Sequence, residues 1–283
     1  MPPKKSLGQH WLHDEKSLNA MLVAGEVSEG DVVLEVGPGL GTLTKKLVQK
    51  AKKVIAVELD DNLAINLHQN VIGRHPELDS GSKSDHLQIP DQVRNDKTEN
   101  LEVLHQSILD FEYSTLPKNY KVIANIPYYL TSNLIRKLLE SENKPALIVL
   151  LIQKEVAQRI VANAGQHNIL SISVQFYASA ELKEEIPAHL FTPPPKVNSQ
   201  IIKITPRVKP LFSDVKENEF FKIIKAGFSE KRKKLRSSLS GALQLSKSDV
   251  DQWLQNTGIS PDARAQELSL EHWHQLYKSK PEG

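Results

Sequence analysis

Cysteine is absent from the 283 residues. That excludes disulfides and thiolate zinc sites, and it suits a reducing compartment, so a cytoplasmic location is expected. No apolar run approaches the roughly 18 residues that a membrane-spanning helix needs. Met1 to Leu12 is basic and polar and has no apolar stretch of the kind a signal peptide carries. There are no internal repeats. An excess of one charge is missing as well: 36 Lys and Arg stand against 34 Asp and Glu, a net charge of +2. What is present is ordinary for a folded protein, with 39% hydrophobic and 25% charged residues. This length can bury a sizeable core and holds one large α/β domain, alone or with a smaller partner domain.

The first two-thirds of the chain alternates short apolar runs with segments of helical period. Val32 to Val36, Val54 to Val57, Leu101 to Leu104, Val122 to Ala124 and Ala146 to Ile152 read as buried parallel strands. Between and after them, Leu40 to Val48, Asp61 to Asn70, Leu130 to Leu139 and Val156 to Ala164 read as helices. Leu170 to Tyr177 and Gln200 to Ile204 read as two further strands, joined by a Pro-rich loop into a hairpin with a reversed edge strand. The pattern predicts an α/β, doubly wound, mostly parallel sheet with helices on both faces. One stretch, 73–100, is polar, rich in turn residues and without period. It reads as an exposed insertion in a domain spanning 1–206. Pro206 and Pro210 bracket a linker, and 207–283 reads as a small all-α domain.

Glu35-Val36-Gly37-Pro38-Gly39-Leu40-Gly41 lies at a strand-to-helix junction, where glycine lets the backbone approach a ligand. The spacing is not the G-x-G-x-x-G of a pyrophosphate loop, and the Lys-Ser/Thr ending of a P-loop is missing. Glu58 closes the next strand 21 residues after Gly37, where a carboxylate can accept hydrogen bonds from ribose hydroxyls. Together these features are similar to those of S-adenosylmethionine-dependent methyltransferases. Two structural readings stay open beside this one: a tight turn for the loop, and a cap or ion pair for Glu35.

Asn125-Ile126-Pro127-Tyr128 follows the fourth strand, at the end that lines the ligand crevice of such a sheet. An amine conjugated to a purine ring becomes a nucleophile when two acceptors hold its N–H groups. The Asn125 side-chain oxygen and the Ile126 carbonyl can supply them. Pro127 fixes the chain direction, and Tyr128 offers a face for a flipped base, worth roughly 1–3 kcal/mol. No metal is called for.

From these segments the chain resembles the small-subunit (16S) ribosomal RNA adenine N6,N6-dimethyltransferase family (KsgA/RsmA type). The likeness runs from about Lys5 to Tyr277. Further motifs carrying it are Leu7-Gly8-Gln9-His10-Trp11-Leu12, Phe191-Thr192-Pro193-Pro194-Pro195-Lys196-Val197, Phe228-Ser229-Glu230-Lys231-Arg232-Lys233-Lys234-Leu235 and Arg264-Ala265-Gln266-Glu267-Leu268-Ser269. The resemblance implies a seven-stranded methyltransferase sheet and a helical RNA-binding domain. It implies cofactor contacts from His10, Leu12, Gly37, Glu58, Ser107 and Asn125, to which the glycine-loop reading adds Glu35, Gly39 and Gly41. His10 and Ser107 depart from the family pattern. Serine accepts an N–H more weakly than the usual aspartate, and Asp110 is the neighbour that could replace it. Phe191 opens the Pro-rich loop, either as a stacking partner beside the catalytic segment or as a core residue.

Seven cations against Glu230 alone fall between Lys222 and Arg236. Phe228 to Leu239 reads as a helix capped by Ser229, with Lys231, Arg232, Lys233, Lys234 and Arg236 facing RNA phosphates. The expected activity is dimethylation of two adjacent adenines in small-subunit rRNA, a step in ribosome biogenesis on the immature 30S subunit. The chain is expected to act as a monomer and away from membranes. Two alternatives stand beside it: methylation of large-subunit rRNA, and a ribosome-assembly factor with weak catalysis.

Overall fold

The computed structural model describes residues 8–72, 100–230 and 232–281. The expected insertion, apart from Asn100, and Lys231 lie outside them. The chain forms two compact units. One holds Met1–Lys154 and Leu182–Thr205, the other Glu155–Glu181 and Pro206–Gly283. Pro206, the expected domain boundary, opens the last segment of the second unit, and the helices within Glu155–Glu181 belong with it.

The first unit contains the strands β1 (Trp11–Leu12), β2 (Val32–Val36), β3 (Lys53–Glu58), β4 (Leu101–His105), β5 (Lys121–Asn125) and β6 (Leu147–Gln153). Its main sheet is completed by β7 (Ala178–Ile186) and β9 (Ser199–Pro206), of which Leu182–Thr205 fall in this unit, and β8 (Phe191–Thr192) pairs with β1 in a separate two-stranded sheet. The order of the main seven-stranded sheet is β4-β3-β2-β5-β6-β9-β7. Strands β2 to β6 pair in parallel, and β9 runs antiparallel to β6. The reversed strand is therefore next to the edge, with β7 outermost. Helices α1 (Glu15–Ala24), α2 (Thr42–Val48), α3 (Asp61–Ile72) and α4 (Thr131–Glu140) follow the strand ends. Near-continuous apolar strands such as Leu147–Gln153 are buried on both faces. Leu18, Met21, Leu43, Leu67, Ile123 and Val149 form one core cluster against the sheet. Strand order reverses between β2 and β5, which is where a doubly wound sheet opens a crevice.

In the second unit, α5 (Lys154–Val161) and α6 (Ile169–Tyr177) join α7 (Glu217–Gly227), α8 (Leu235–Leu243), α9 (Lys247–Asn256) and α10 (Leu270–Lys278). Its centre is aromatic. Phe176 stacks on Phe220 at 5.2 Å between ring centroids, and Trp253 and Trp273 are buried. Gly227 is required by contact, since a Cβ there would meet the Trp273 ring at 2.4 Å.

Two sequence expectations are corrected here. Leu170 to Tyr177 is not a strand but most of α6, which starts at a capping box formed by Asn168 and Ser171. A short apolar run rich in β-branched residues has no period of its own, and the cap decides it. The strand is instead the polar segment β7, only intermittently buried along its length. Phe228 to Leu239 is likewise not one helix. α7 stops at Gly227 and α8 starts at Leu235 with Lys234 as N-cap. Ser229 caps nothing; its hydroxyl donates to the Ala226 carbonyl at 2.8 Å. Between Phe228 and Leu235 no apolar side chain is available for burial, and a helix there would set like charges three and four apart, Lys231 by Lys234 and Arg232 by Arg236.

Candidate active site

The C-terminal ends of β2, β3, β4 and β5 open into one cleft of about 1040 Å³, counting its solvent-open part. Every expected catalytic and cofactor residue lines it except Gly41: His10, Leu12, Glu35, Gly37, Gly39, Glu58, Ser107, Asn125, Ile126, Pro127, Tyr128 and Phe191. Gly41 instead caps α2 with φ +82°, where a Cβ would meet Val71 Cγ2 at 2.8 Å and Leu67 Cδ1 at 2.9 Å. The expected substitute Asp110 is exposed and not among the lining residues.

The glycine loop turns through positive φ at Gly37 and Gly39. The Gly37 N–H donates to the Val57 carbonyl at 2.9 Å, tying the loop to β3. Glu58 ends β3, and its carboxylate accepts from the N–H groups of Gly39 (3.1 Å), Leu59 (2.8 Å) and Asp60 (2.9 Å). Burial raises its pKa, while these three bonds oppose the rise. Glu35 is 1% exposed. Burial pushes its carboxyl up to about 8, the Thr44 hydroxyl opposes this, and the Glu58 charge adds to it. Glu35 Oε2 and Thr44 Oγ1 nonetheless complete no hydrogen bond, and neither does the buried Trp11 Nε1. Buried polar atoms without partners are costly. Trp11 and Glu35 both line the cleft.

The segment Asn125 to Tyr128 is held from three sides. Asn125 Nδ2 donates to the His10 carbonyl at 3.2 Å, which orients the amide. No other hydrogen bond among the described residues occupies Asn125 Oδ1 or the Ile126 carbonyl. Both expected acceptors are thus open at the cleft. The Tyr128 hydroxyl pairs with Ser199 Oγ at 2.8 Å, and its ring stacks on His10 at 5.8 Å and 25°. Burial raises the Tyr128 pKa and the Ser199 bond moderates it, so the phenol stays neutral. β1 pairs with β8, placing Leu12 opposite Phe191. His10 Nδ1 lies 2.7 Å from the Pro193 carbonyl, so that nitrogen is engaged by the Pro-rich loop. Phe191 is 3% exposed and belongs to the core cluster. It walls the cleft as a core residue.

Ser107 lines the cleft, but its Oγ accepts from the Leu109 N–H at 3.2 Å, a local turn bond. Gln106, not singled out in the sequence, lines the cleft beside it. Trp11 and Tyr129 were also overlooked as lining residues. Tyr129 is 56% exposed, an unusual state for an aromatic, and only the tertiary placement reveals it.

The basic segment is less free than its composition implies. Lys233 pairs with Glu230, Lys234 with Asp262 and Arg236 with Asp251. Among the described residues, Lys222, Lys225 and Arg232 are exposed without an acidic partner. Sequence proximity showed the cations and Glu230; the other two paired acids, Asp251 and Asp262, come from other segments.

The family model described as ribosomal RNA adenine dimethylase matches residues 2–282. A ribosomal RNA small subunit methyltransferase A from Dehalococcoides mccartyi is 40% identical over 273 residues, covering 96% of this chain and 87% of the relative. The protein of that name from Nostoc sp. is 36% identical, covering 97% and 96%. Among solved structures, a dimethyladenosine transferase from Plasmodium falciparum superposes with a TM-score of 0.71 at 25% identity, covering 94% of this chain and 96% of that one. The 23S rRNA methyltransferase ErmE shares the fold with a TM-score of 0.69 at 23% identity, covering 95% and 98%. The chain belongs to the ribosomal RNA adenine dimethylase family.

Proposed function

We propose that this chain dimethylates the N6 amine of two adjacent adenines in a loop of small-subunit ribosomal RNA, with S-adenosylmethionine as methyl donor and the immature 30S subunit as substrate. The observation that carries this reading is the pair of open acceptors, Asn125 Oδ1 and the Ile126 carbonyl, at the cleft. Held by them, an adenine amine keeps its lone pair directed out of the ring plane. Tyr128 gives the extruded base a stacking face. Pro127 sets the direction of the segment.

The residues present fit the methyl donor. The loop Gly37–Gly39 leaves the backbone bare, Glu58 ends β3 where ribose hydroxyls are met, and Trp11 and Glu35 hold unpartnered polar atoms. When bound, S-adenosylmethionine supplies a methyl group activated on a sulfonium sulfur. Glu58, Gln106 and Ser107 would hold its adenosine part, and Glu35 with the glycine loop its amino-acid end. Relatives at 36–40% identity bearing the small-subunit name support that substrate over large-subunit RNA.

The test supplies labelled cofactor with small subunits that lack the modification, beside isolated large subunits. Two methyl groups per adenine should appear on small subunits alone. Label confined to large subunits, or Asn125→Ala retaining full transfer, would overturn the proposal.

A further inference from the structure

The second unit has a cavity of its own, far richer in polar groups than its apolar core requires. It encloses about 1240 Å³, counting its solvent-open part. Its walls come from α5, the loop 162–168, the turn after α7 and the turn at Ala265–Gln266. The catalytic residues of the first unit take no part in it.

The floor is braced. His167, 5% exposed, has Nδ1 2.9 Å from the Leu268 carbonyl and Nε2 3.0 Å from the Ala162 carbonyl. The Gly165 N–H donates to the Gln266 carbonyl at 2.8 Å. These bonds tie the loop 162–168 to the turn carrying Gln266. The exposed carboxamides of Gln158, Gln166 and Gln266 thus stand on a fixed frame. None has a side-chain hydrogen-bond partner among the described residues. Phe228, partly exposed, borders the cavity and rests on Trp273 at 5.8 Å. Two cations stand at the rim, Arg159 paired with Glu155 and Lys233 with Glu230. Exposed ion pairs of this kind are worth about 0–1 kcal/mol and exchange easily for another anion.

Each group matches a part of one ligand. A carboxamide presents a donor and an acceptor together, as the edge of an unpaired base requires. A held aromatic ring offers a stacking face. Arg and Lys meet phosphate. An acidic peptide would meet the two cations as a phosphate does but has no base edge to match the amides. A base pair cannot bring its edges into a cavity, whereas a loop nucleotide can.

We propose that this cavity is a second RNA contact that takes one unpaired nucleotide of the substrate strand, its base edge read by Gln158, Gln166 and Gln266 and its phosphate met by Arg159 and Lys233. The inference rests on the rRNA-substrate reading above. It assigns part of the recognition of the RNA to residues that do not line the cleft, so that binding and chemistry are separable.

The test uses the full chain, without cofactor, and small subunits lacking the modification. Binding is measured for wild type and for the triple variant Gln158→Ala, Gln166→Ala, Gln266→Ala, with Gln252→Ala, Gln255→Ala as a control on α9. The substituted side chains are exposed, and an unchanged thermal midpoint verifies the fold. The triple variant should bind on the order of tenfold more weakly, since each neutral hydrogen bond contributes a factor of a few. In turnover assays KM should rise by a similar factor with kcat unchanged. RNA carrying 4-thiouridine should cross-link to peptides containing Gln166 or Gln266. Equal affinity for triple variant and wild type, with cross-links elsewhere, overturns the inference. So does binding of free adenosine or uridine monophosphate at these residues with RNA affinity unaltered. If wild type binds small subunits but transfers no methyl group, the enzymatic reading fails while this one stands.

Discussion

In the proposed reaction Asn125 divides its two ends between positioning and chemistry. Its Nδ2 is spent on the His10 carbonyl, and its Oδ1 would hold the substrate amine. Asn125→Ala removes both, and methyl transfer should fall about 10²–10³-fold, the usual cost of losing one preorganised polar group, with a loss of about 1 kcal/mol of stability from the broken bond to His10. Tyr128 separates in the same way. Tyr128→Phe loses only the bond to Ser199 Oγ and should cost about 1 kcal/mol of stability. Tyr128→Ala also loses the ring, and RNA KM should rise roughly tenfold or more; equal KM values for the two variants would contradict the stacking role. Glu35 gives a pH prediction. Burial holds its carboxyl at about 8 against an ordinary 4.5. A carboxyl raised on folding stabilises the native state fully below its unfolded pKa, and this contribution is lost as pH rises through the folded one. The thermal midpoint should therefore decline between pH 4.5 and 8, and Glu35→Gln should flatten that decline.

Elements decide what single residues cannot. Gly41 is a ligand-loop residue by motif and a helix cap by position. Gly41→Ala combines positive φ with contacts below 3 Å to α3. It should lower stability by about 1–3 kcal/mol, read as a lower thermal midpoint, whether or not cofactor is bound. Arg236 was read as a phosphate contact, yet its guanidinium pairs with Asp251, and Arg236 Nε and Asp251 Oδ1 are buried. Arg236→Ala should reduce the stability of the helical unit by about 1–3 kcal/mol more clearly than it reduces RNA affinity. The elements legible in the sequence were those buried on both faces, such as β2, β3 and β6. β7 was passed over because an edge strand needs few apolar residues. α6 was misread because Asn168 and Ser171, not period, define it.

At the scale of the molecule, a net charge of +2 conceals where charge is available. RNA affinity should fall steeply with salt. Lys222→Ala, Lys225→Ala and Arg232→Ala should each lower the log–log salt slope by about one. Lys234→Ala should change it less, because its charge already faces Asp262. Equal slopes across these four variants would show that the Lys234–Asp262 pair opens on binding.

By itself the sequence determined the alternation of strand and helix, the glycine loop ending at Glu58 and the segment Asn125 to Tyr128, because each is written in contiguous residues. It thereby determined the family. The tertiary structure alone decided that Lys234 and Arg236 are not free, since their partners lie 28 and 15 residues away. It also decided that Phe191 is core, that Gly41 is a cap and that Gln106, Trp11 and Tyr129 border the cleft. Burial and pairing are properties of neighbours brought together by folding, and no local pattern encodes them.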